Sequence, residues 1–464
     1  MKQQPPSTNA GHPDRSLPLM SALSGFLADL KKPAHLLVAI SGGSDSTGLL
    51  VGLHAARSAF PDIRISAATI DHALRPEAAQ EARAVAALCE KLDVFHMTHR
   101  WEGEKPATGI SAAAREARYS LLSAIADEIG ATAIVTGHTL DDQVETVVMR
   151  AGRSGETSVG GKDGCAQPIS PSRGEIEGSM PPRSSPGLSG MASATLLDAR
   201  HWVLRPLLHT RRADIRAWLA DNAVGWIDDP SNVDPHYERV RIRQALAFEP
   251  AVDTAVIATA AQARACLARD AANWLAACAT IEHAVIARIS LDGLRENPTV
   301  VRYALSMLAA VLGGRPHMLS RESADRLMAF FTGKAGRMTA GRVVFDLRRD
   351  GLFMLRENRN LPTVTVMPGE TVVWDGRFTV TSHVVTPIEV QPGRERADGF
   401  ENLAPGLAKL AARVLPDAEV LGEGGLAKSP HLAVFDRFLP VFDLPLAGRI
   451  AALMGRGPYL LPPV

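Results

Sequence analysis

A turn rich in glycine and serine lies between a short apolar run and a helical pattern near the start of the chain. The apolar run is His35–Ile40, and its length and bounding residues favour a buried strand. Backbone N–H groups that converge between a strand and a helix start form a site for an anion, aided by the helix dipole. The pattern therefore predicts a phosphate-binding loop with the sequence SGGSDS, made of Ser41, Gly42, Gly43, Ser44, Asp45 and Ser46.

The residue types of this turn extend the predicted chemistry. Gly42 and Gly43 can take positive φ, which lets a phosphate approach the backbone closely. The serine hydroxyls add donors, and Asp45 supplies a hard oxygen suited to a magnesium ion carried by a nucleotide. The alternative is an ordinary connection between a strand and a helix, with Ser44 as the N-cap.

A second group of polar residues follows Gly137-His138, in the segment GHTLDDQVET. Thr139 is a predicted N-cap with Asp142 at the third helical position, close to a capping box. Glu145 lies three residues after Asp142 and four after Asp141, so the carboxylates share one helix face. One interpretation is that these acids only complement the helix dipole. We favour a cation site, because clustered acids repel one another and capping alone does not require them.

Arginines in two segments are candidates for phosphate contacts. One pair lies in the predicted helix AAAREARYS, and the other group lies in YERVRIR, where a helix would present a basic surface to RNA phosphates. Solvated surface arginines are the alternative in both segments. The candidates are Arg115, Arg118, Arg239, Arg241 and Arg243.

Strands and helices alternate from residue 34 to about 150, which predicts an α/β fold with a doubly wound, mostly parallel sheet. Ligands bind such sheets beyond the carboxyl ends of the strands. Three polar groups fall at these ends and are predicted to converge: SGGSDS, Asp71-His72 and Gly137-His138. The predicted strands are His35–Ile40, Ile63–Ile70, Val94–His99 and Ala133–Thr136, and the helices are Glu77–Leu92, Ser111–Ile129 and one from Leu140.

Composition sets the limits of the class of protein. The chain has 464 residues, enough for about three domains. Lys and Arg together number 50, as do Asp and Glu, so a nucleic-acid partner must be argued from local patches. No apolar stretch is long enough to cross a bilayer, which predicts no membrane contact. The cysteines, which form no C-x-x-C pair, predict a reducing, cytoplasmic location: Cys89, Cys165, Cys266 and Cys278.

The organisation of the chain follows from shifts in composition. Residues 1–17 are polar and contain prolines, which predicts a loose tail. The first domain is predicted to span 18–250, with a flexible Gly-, Ser- and Pro-rich insertion at 156–185. A helical middle domain is predicted at 251–335 and a mixed C-terminal domain, α+β in character, at 336–464.

The ordered motifs resemble those of bacterial tRNA(Ile)-lysidine synthetases, which belong to the ATP pyrophosphatase superfamily. The resemblance covers roughly 34–250 and departs from the family pattern at Val240, where an asparagine is usual, and in the Thr-Leu pair after His138. The motifs that carry it are SGGSDS, IDHALRPE, AREARY, GHTLDDQVET, the RPLL segment, and DPSN with its following arginine helix.

The resemblance implies an adenine nucleotide alpha-hydrolase-like fold and a reaction that consumes ATP with Mg²⁺. ATP would adenylate the wobble cytidine of an isoleucine tRNA with a CAU anticodon, releasing pyrophosphate. The amine of free L-lysine would then expel AMP. The oligomeric state is left open, with a homodimer as one arrangement.

The site residues implied by the resemblance fall into three groups. Asp45, His138, Asp142 and Glu145 would be catalytic; Asp45 would lie near magnesium, the two acids of the helix would capture lysine, and His138 would contact phosphate or relay a proton. The nucleotide would contact the loop Ser41–Ser46 together with Asp71, His72 and Arg115. The tRNA would contact Arg205, Arg239, Arg241 and Arg243.

Other functions share the loop. A tRNA thiolase would need a reactive or cluster-ligating cysteine set, and a glutamine-dependent amidotransferase would need a glutaminase domain in place of the short tail. NAD synthetase and argininosuccinate synthetase would not explain DPSN with the arginine helix. A nucleotide-sensing module would have no use for the acids of DDQVE.

Overall fold

The chain divides into two compact units in the computed structural model. Unit 1 comprises 1–194, 201–261 and 462–464, and unit 2 comprises 195–200 and 262–461. The predicted tail, the insertion at 156–185 and the DPSN motif lie outside the described residues. The structure describes residues 18–154, 188–228, 238–246, 254–394, 399–418 and 425–464.

Unit 1 is built on a parallel sheet, as predicted. The strands are β1 (Ala34–Ala39), β2 (Ile63–Asp71), β3 (Phe95–Arg100), β4 (Ala133–Thr136) and β6 (His201–Leu204). Strand β5 (Ala194–Leu197) precedes β6 in the chain and begins at the boundary between the two units. Within unit 1 the strands follow the order β6-β4-β1-β2-β3, and every neighbouring pair is parallel. The chain order reverses between β1 and β4, so a ligand crevice is expected where these two strands end.

The helices that cover this sheet lie close to their predicted positions. Leu36, Leu37 and Val38 of β1 are fully buried, as expected of a strand covered on both faces. The helices are α1 (Leu19–Asp29), α2 (Ser44–Ala56), α3 (Ala78–Lys91), α4 (Ile110–Ile129), α5 (Leu140–Ser154), α6 (Arg212–Asp221), α7 (Glu238–Leu246) and the start of α8 (Thr254–Cys278). Burial raises the pKa of Cys89 on α3 to about 11, so this thiol is a core residue.

Unit 2 contains three antiparallel sheets and a strand pair. The first has the order β7-β8-β11-β10-β9, formed by β7 (Ala279–Glu282), β8 (Ile286–Ile289), β9 (Gly336–Ala340), β10 (Val343–Arg348) and β11 (Gly351–Arg356). The second is β12-β15-β16 and the third β13-β14-β17, with β12 (Val364–Val366), β13 (Thr371–Trp374), β14 (Phe378–Ser382), β15 (Ile388–Pro392), β16 (Pro416–Asp417) and β17 (Leu426–Pro430). The pair joins β5 to β18 (Phe438–Pro440).

The predicted division of this half into a helical domain at 251–335 and a mixed domain at 336–464 is wrong. Strand β8 precedes residue 335 and pairs with β11, which follows it, so one sheet crosses the predicted boundary. Strands β7 and β8 have four residues each, too few for an alternating pattern to stand out beside a long helix. The helices of unit 2 are the rest of α8, α9 (Pro298–Leu312), α10 (Arg321–Phe330), α11 (Pro405–Arg413) and α12 (Leu444–Leu453). Among the described residues, no helix is both long and apolar enough to span a membrane.

Candidate active site

The glycine- and serine-rich turn forms a closed loop between β1 and α2. Gly42 has φ +86°, as predicted, whereas Gly43 has φ −67° and is the residue that precedes α2. Of the two glycines that can take positive φ, Gly42 does so and Gly43 does not, and the alternative that Ser44 is the N-cap is wrong because Gly43 holds that position. Ser46 Oγ donates to the carbonyl of Gly43 (3.1 Å), and Thr47 Oγ1 donates to the carbonyl of Gly42 (3.1 Å). These bonds hold the loop in one shape.

Gly42 should not tolerate a side chain. A Cβ there would lie 2.6 Å from Cδ1 of Ile227, and the positive φ adds strain for any L residue. We expect Gly42→Ala to lower the free energy of unfolding by roughly 1–3 kcal/mol. Thermal unfolding followed by circular dichroism measures this. Gly25→Ala on α1, where no atom lies within 4 Å of the new Cβ, is the control and should be neutral or stabilising. Equal destabilisation by both would contradict the argument.

A cavity of about 330 Å³ opens beside this loop. Gly137 brings the end of β4 against the first turn of α2, since a Cβ there would lie 2.8 Å from the Asp45 carbonyl oxygen. The cavity is lined by loop residues, by Gly137 and His138, and by side chains of α4, α5, α6 and α7. The polar and charged lining residues are Ser41, Ser44, Asp45, Ser46, Arg118, Thr136, His138, Asp142, Arg212, Arg216, Asp228, Arg239 and Arg243.

Two of the three polar groups predicted to converge meet in this cavity, and the third does not line it. Asp71 turns back to accept a hydrogen bond from the backbone N–H of Ala73 (2.7 Å). His72 packs edge to face against Trp101, with 6.2 Å between ring centres. Strand β2 contributes Ile70 to the lining instead. The cause is the alternation of side chains along β2, because Ala68 and Ile70 face the cavity and the next residue, Asp71, lies on the opposite face of the strand.

Asp142 caps the start of α5 with one carboxylate oxygen and contacts two arginines with the other. Its Oδ2 accepts from the backbone N–H of Thr139 (2.8 Å) and from Thr139 Oγ1 (3.0 Å), which completes the predicted capping box. Its Oδ1 accepts from Arg239 (2.7 Å) and Arg212 (3.2 Å). Burial alone would raise the pKa of Asp142, but Arg239 and Arg212 outweigh it and hold the pKa below its ordinary value.

Glu145 lies on the same face of α5, as predicted, and its side chain is only 2% exposed. It accepts from Nε of Arg239 (2.5 Å) and from Nε of Arg243 (2.8 Å). Guanidinium groups of the protein itself therefore pair with these carboxylates, and a cation site for a substrate stays a prediction. The two arginines were predicted to contact tRNA; they contact these carboxylates here.

Arg212, which was not among the predicted site residues, connects Asp45 to the acids of α5. Its Nε donates to Oδ2 of Asp45 (2.8 Å), and its other nitrogens lie 3.2 Å from Asp142 and 3.7 Å from Glu145. Burial alone would lower the pKa of Arg212, but the Asp45 and Asp142 carboxylates outweigh it and raise the pKa. One feature of the sequence could have indicated this contact. Arg212 is the first residue of α6, where a cation opposes the helix dipole, so a nearby acid is needed to stabilise it.

Asp45 is less well compensated than Asp142. Burial raises the pKa of its carboxyl, and Arg212 offsets this only in part. Ser44 Oγ also donates to Asp45 (3.1 Å), and Arg216 donates to that hydroxyl (3.1 Å). The carboxylate therefore lies in the cavity with capacity for a further positive charge.

Two arginine predictions need correction. Arg205 is 7% exposed, and its Nη1 donates to the Ala192 carbonyl (2.9 Å), so it does not present a surface to tRNA. Arg115 does not line the cavity, and its guanidinium lies 5.0 Å from the ring centre of Tyr119. Arg118 of the same motif lines the cavity instead. A helical pattern gives the spacing of such arginines but not which of them faces the sheet edge.

His138 is held as a neutral imidazole. Its Nδ1 is hydrogen bonded to Thr136 Oγ1 (2.9 Å), and burial, with Arg205 nearby, lowers its pKa to about 3. The ring therefore carries no positive charge into the cavity at physiological pH.

This shift predicts a pH-dependent stability. The unfolded imidazole has a pKa of about 6.5, so below that pH the unfolded chain binds the proton that the folded chain resists. The contribution of His138 to the free energy of unfolding is fully present above pH 6.5 and is lost as the pH falls towards 3. Between about pH 7.5 and pH 5 we expect the wild type to lose roughly 1–2 kcal/mol more than His138→Gln. Denaturant unfolding at both pH values measures it, and equal losses would contradict the burial of a neutral ring.

The fold and the cavity define the class of protein. A parallel sheet with a glycine- and serine-rich loop at its reversal point is the arrangement of a PP-loop ATP-binding domain, and residues 17–167 and 181–249 match the family model for a PP-loop domain. The chain is 42% identical over 462 residues to the tRNA(Ile)-lysidine synthase of Rhizobium meliloti, covering 96% of this chain and 97% of that one. The chain belongs to the tRNA(Ile)-lysidine synthase family.

Two other relatives with the same name are also similar to this chain over most of its length. The enzyme of that name from Mesorhizobium japonicum is 38% identical over 92% of this chain and 94% of its own. That of Brucella canis is 34% identical over 92% of this chain and 96% of its own. Among solved structures, a U34-tRNA thiolase from Methanococcus maripaludis overlaps 53% of this chain and 77% of its own, with 13% identity and a TM-score of 0.39, too low to support an argument.

Proposed function

We propose that this protein joins L-lysine to the wobble cytidine of the isoleucine tRNA with a CAU anticodon, using ATP and releasing pyrophosphate and AMP. The proposal extends to this chain what the names of its relatives state. The observation that carries it is one cavity lined by a phosphate loop and by Asp142, which shares with Glu145 a buried cation site on α5. Such a cavity can bring a nucleotide phosphate and an amine together.

ATP would bind with its phosphates at the loop. The backbone N–H groups at the start of α2 and the hydroxyl of Ser41 supply donors, whereas the Ser46 hydroxyl already donates to the Gly43 carbonyl and shapes the loop. Arg118 lines the cavity and has no acidic partner among the described residues, so it is available to a phosphate. Ile40, Ala68, Ile70 and Leu122 give the cavity an apolar portion that suits a purine ring.

The donor set also fits Mg²⁺ carried by the nucleotide. Magnesium is usually bound by one or two carboxylates together with substrate phosphates. Asp45 lies in the cavity beside the phosphate loop, and the described residues contain no group of three or more His, Cys, Asp or Glu that would hold a metal by themselves. When bound, the ion would neutralise charge on the phosphates, and Asp45 would hold it while remaining oriented by Ser44 and Arg212.

The first chemical step would join the oxygen on carbon 2 of the cytosine ring to the α-phosphorus. The bond from that phosphorus to pyrophosphate breaks, and the leaving group carries away the electron pair. Positive charge must lie near the pyrophosphate as it departs. Arg118 and Arg212 line the cavity and supply it from fixed positions.

In the second step the ε-amine of lysine would attack carbon 2. Free lysine arrives as an ammonium ion with a pKa of about 10.4, so it must be bound by acids and must lose a proton before it attacks. Asp142 and Glu145 flank one position and can hold the ammonium, and a carboxylate there can take the proton. The new C–N bond forms as the C–O bond to AMP breaks.

Partner contacts complete the proposal. Helix α7 carries Arg239, Arg241 and Arg243, which can bind tRNA phosphates. A tRNA substrate agrees with the predicted cytoplasmic location, and the homodimer stays a prediction.

The assay that tests the proposal follows pyrophosphate release from ATP while each substrate is omitted in turn. We expect sustained release only with both L-lysine and a CAU-anticodon tRNA transcript. Glutamine dependence would indicate an amide-forming synthetase, and a need for a sulfur donor would indicate a thiolase. Nucleotide binding without any release would indicate a sensing module.

A further inference from the structure

Helix α7 places two arginines on the carboxylates that the proposed function assigns to lysine. Arg239 donates to Glu145 (2.5 Å) and Asp142 (2.7 Å), and Arg243 donates to Glu145 (2.8 Å). The Glu145 side chain is 2% exposed, whereas those of Arg239 and Arg243 are 42% and 35% exposed. The acceptors are therefore buried and the donors reach them from the solvent side.

Arg212 contacts the same acids but is bound differently. Its side chain is 16% exposed and is also held by Asp45 (2.8 Å). Its own backbone N–H, at the start of α6, donates to Asp141 (2.8 Å). Arg212 is thus a fixed part of the site, held by three acids through its side chain and by Asp141 through its backbone. The cations that are most easily replaced are those of α7.

The carboxylates of this cluster already have cationic partners without a substrate. Asp45 contacts Arg212, Asp142 contacts Arg212 and Arg239, and Glu145 lies within 4 Å of all three guanidinium groups, including that of Arg243. An ammonium ion added beside Glu145, whose side chain is 2% exposed, would place a further cation against a buried carboxylate that already has three, which is unfavourable. The guanidinium groups of Arg239 and Arg243 can leave these carboxylates at a smaller cost in free energy than Arg212, because they are more exposed, regain water and form weaker ion pairs.

We propose that Arg239 and Arg243 form a displaceable plug, which we call the arginine plug, in the lysine site of the free protein. The ε-ammonium of lysine replaces at least one of them, since ammonium and guanidinium groups are both cationic N–H donors that suit the same oxygens. The released guanidinium then binds a tRNA phosphate, for which its fork of N–H groups is well suited. The inference rests on the proposed function and adds its regulation: lysine and tRNA each favour the binding of the other.

Buried Val240 gives α7 a fixed face in this arrangement. Val240 is 6% exposed, between Arg239 and the exposed Arg241. The residue that departs from the family pattern therefore packs inward, while the side chains of Arg239 and Arg243 stay partly exposed to solvent.

The test measures L-lysine binding by titration calorimetry, using the full chain with a non-hydrolysable ATP analogue and no tRNA. The plug competes with lysine, so Arg239→Gln with Arg243→Gln should lower the Kd for lysine roughly threefold to thirtyfold, the range for losing two half-exposed ion pairs. An unchanged or higher Kd would overturn the proposal. Each single variant should show a smaller shift in the same direction, which keeps the test decisive if the double variant does not fold.

The matched control is Arg241→Gln, which removes the same charge from the same helix. None of the described contacts to Asp142 or Glu145 involves Arg241, so the Kd for lysine should stay at the wild-type value while tRNA binding weakens. A second readout is the factor by which lysine tightens tRNA binding in a filter assay. This factor should exceed one for the wild type and fall to one in the double variant.

The experiments distinguish a failure of the arginine plug from a failure of the proposed function. A wild-type protein that forms lysidine, with a double variant that binds lysine no more tightly, would overturn the arginine plug alone. A wild-type protein that forms no lysidine would overturn the proposed function.

Discussion

Replacing Asp45 by alanine or asparagine should reduce pyrophosphate release by about a hundredfold or more, the scale expected when a group that stabilises developing charge is lost. Asp45 lines the cavity next to the phosphate loop and orients Arg212 through a hydrogen bond of 2.8 Å. Both substitutions remove the carboxylate that would hold magnesium, and asparagine keeps nearly the same shape. The initial rate with saturating ATP, lysine and tRNA measures the loss.

The protein should stay folded in these variants. Arg212 retains Asp142 and Glu145 as partners, so it is not left as an isolated buried charge. Circular dichroism at 25 °C checks this. Asp29→Asn, at the exposed end of α1, removes the same charge far from the loop and should leave the rate unchanged. Wild-type turnover by Asp45→Asn would show that the loop is not the ATP site.

Glu145→Gln should lower kcat/KM for lysine by about 30-fold or more, corresponding to the 2–5 kcal/mol lost when one partner of a desolvated ion pair is neutralised. Glu145 is the better test because its carboxylate contacts arginines, whereas Asp142→Asn would also damage the capping box with Thr139. The glutamine side chain keeps the shape and removes the charge that would hold the ammonium.

The defect should be confined to the step that uses lysine. Adenylation of the tRNA, trapped in the absence of lysine, should largely survive in Glu145→Gln. Glu128→Gln, on the exposed face of α4, is the control for loss of one acidic charge. Loss of adenylation together with a normal lysine KM would assign the acid to magnesium or ATP and move the lysine site elsewhere.

The sheet of unit 1 and its phosphate loop could be predicted from the sequence because both depend on residues that are close together in the chain. The apolar run of β1 and the glycines after it lie within 14 residues, at 34–47. The capping box is likewise local, since Thr139 and Asp142 are three residues apart. Periodicity and turn chemistry report on such short-range features directly.

Long-range pairs were not predictable in the same way. Arg212 meets Asp45 across 167 residues, and Arg239 meets Glu145 across 94. An arginine-rich helix in sequence indicates a basic face but not which anion that face contacts. The same limit explains Arg205, whose burial depends on packing that no local pattern encodes.

Side-chain direction and strand pairing were the other missing quantities. Asp71 and His72 were placed at the correct edge of the sheet, but the cavity is lined by Ala68 and Ile70 of β2, and Asp71 lies on the opposite face of that strand. In unit 2, β8 joins β11 across a predicted domain boundary through antiparallel bonds between short strands. Pairing of this kind is decided by tertiary contacts rather than by local propensity.

The most direct measurement of the central claim is transfer of isotope-labelled L-lysine to tRNA, with nucleoside analysis of the product by mass spectrometry. The purified protein would be incubated with ATP, magnesium and two isoleucine tRNA transcripts that differ only in the wobble base, one with a CAU anticodon and one with UAU. We predict label on the CAU transcript alone, at the wobble cytidine, with one AMP formed for each lysine joined. Label on both transcripts, or pyrophosphate release without any label on RNA, would contradict the claim.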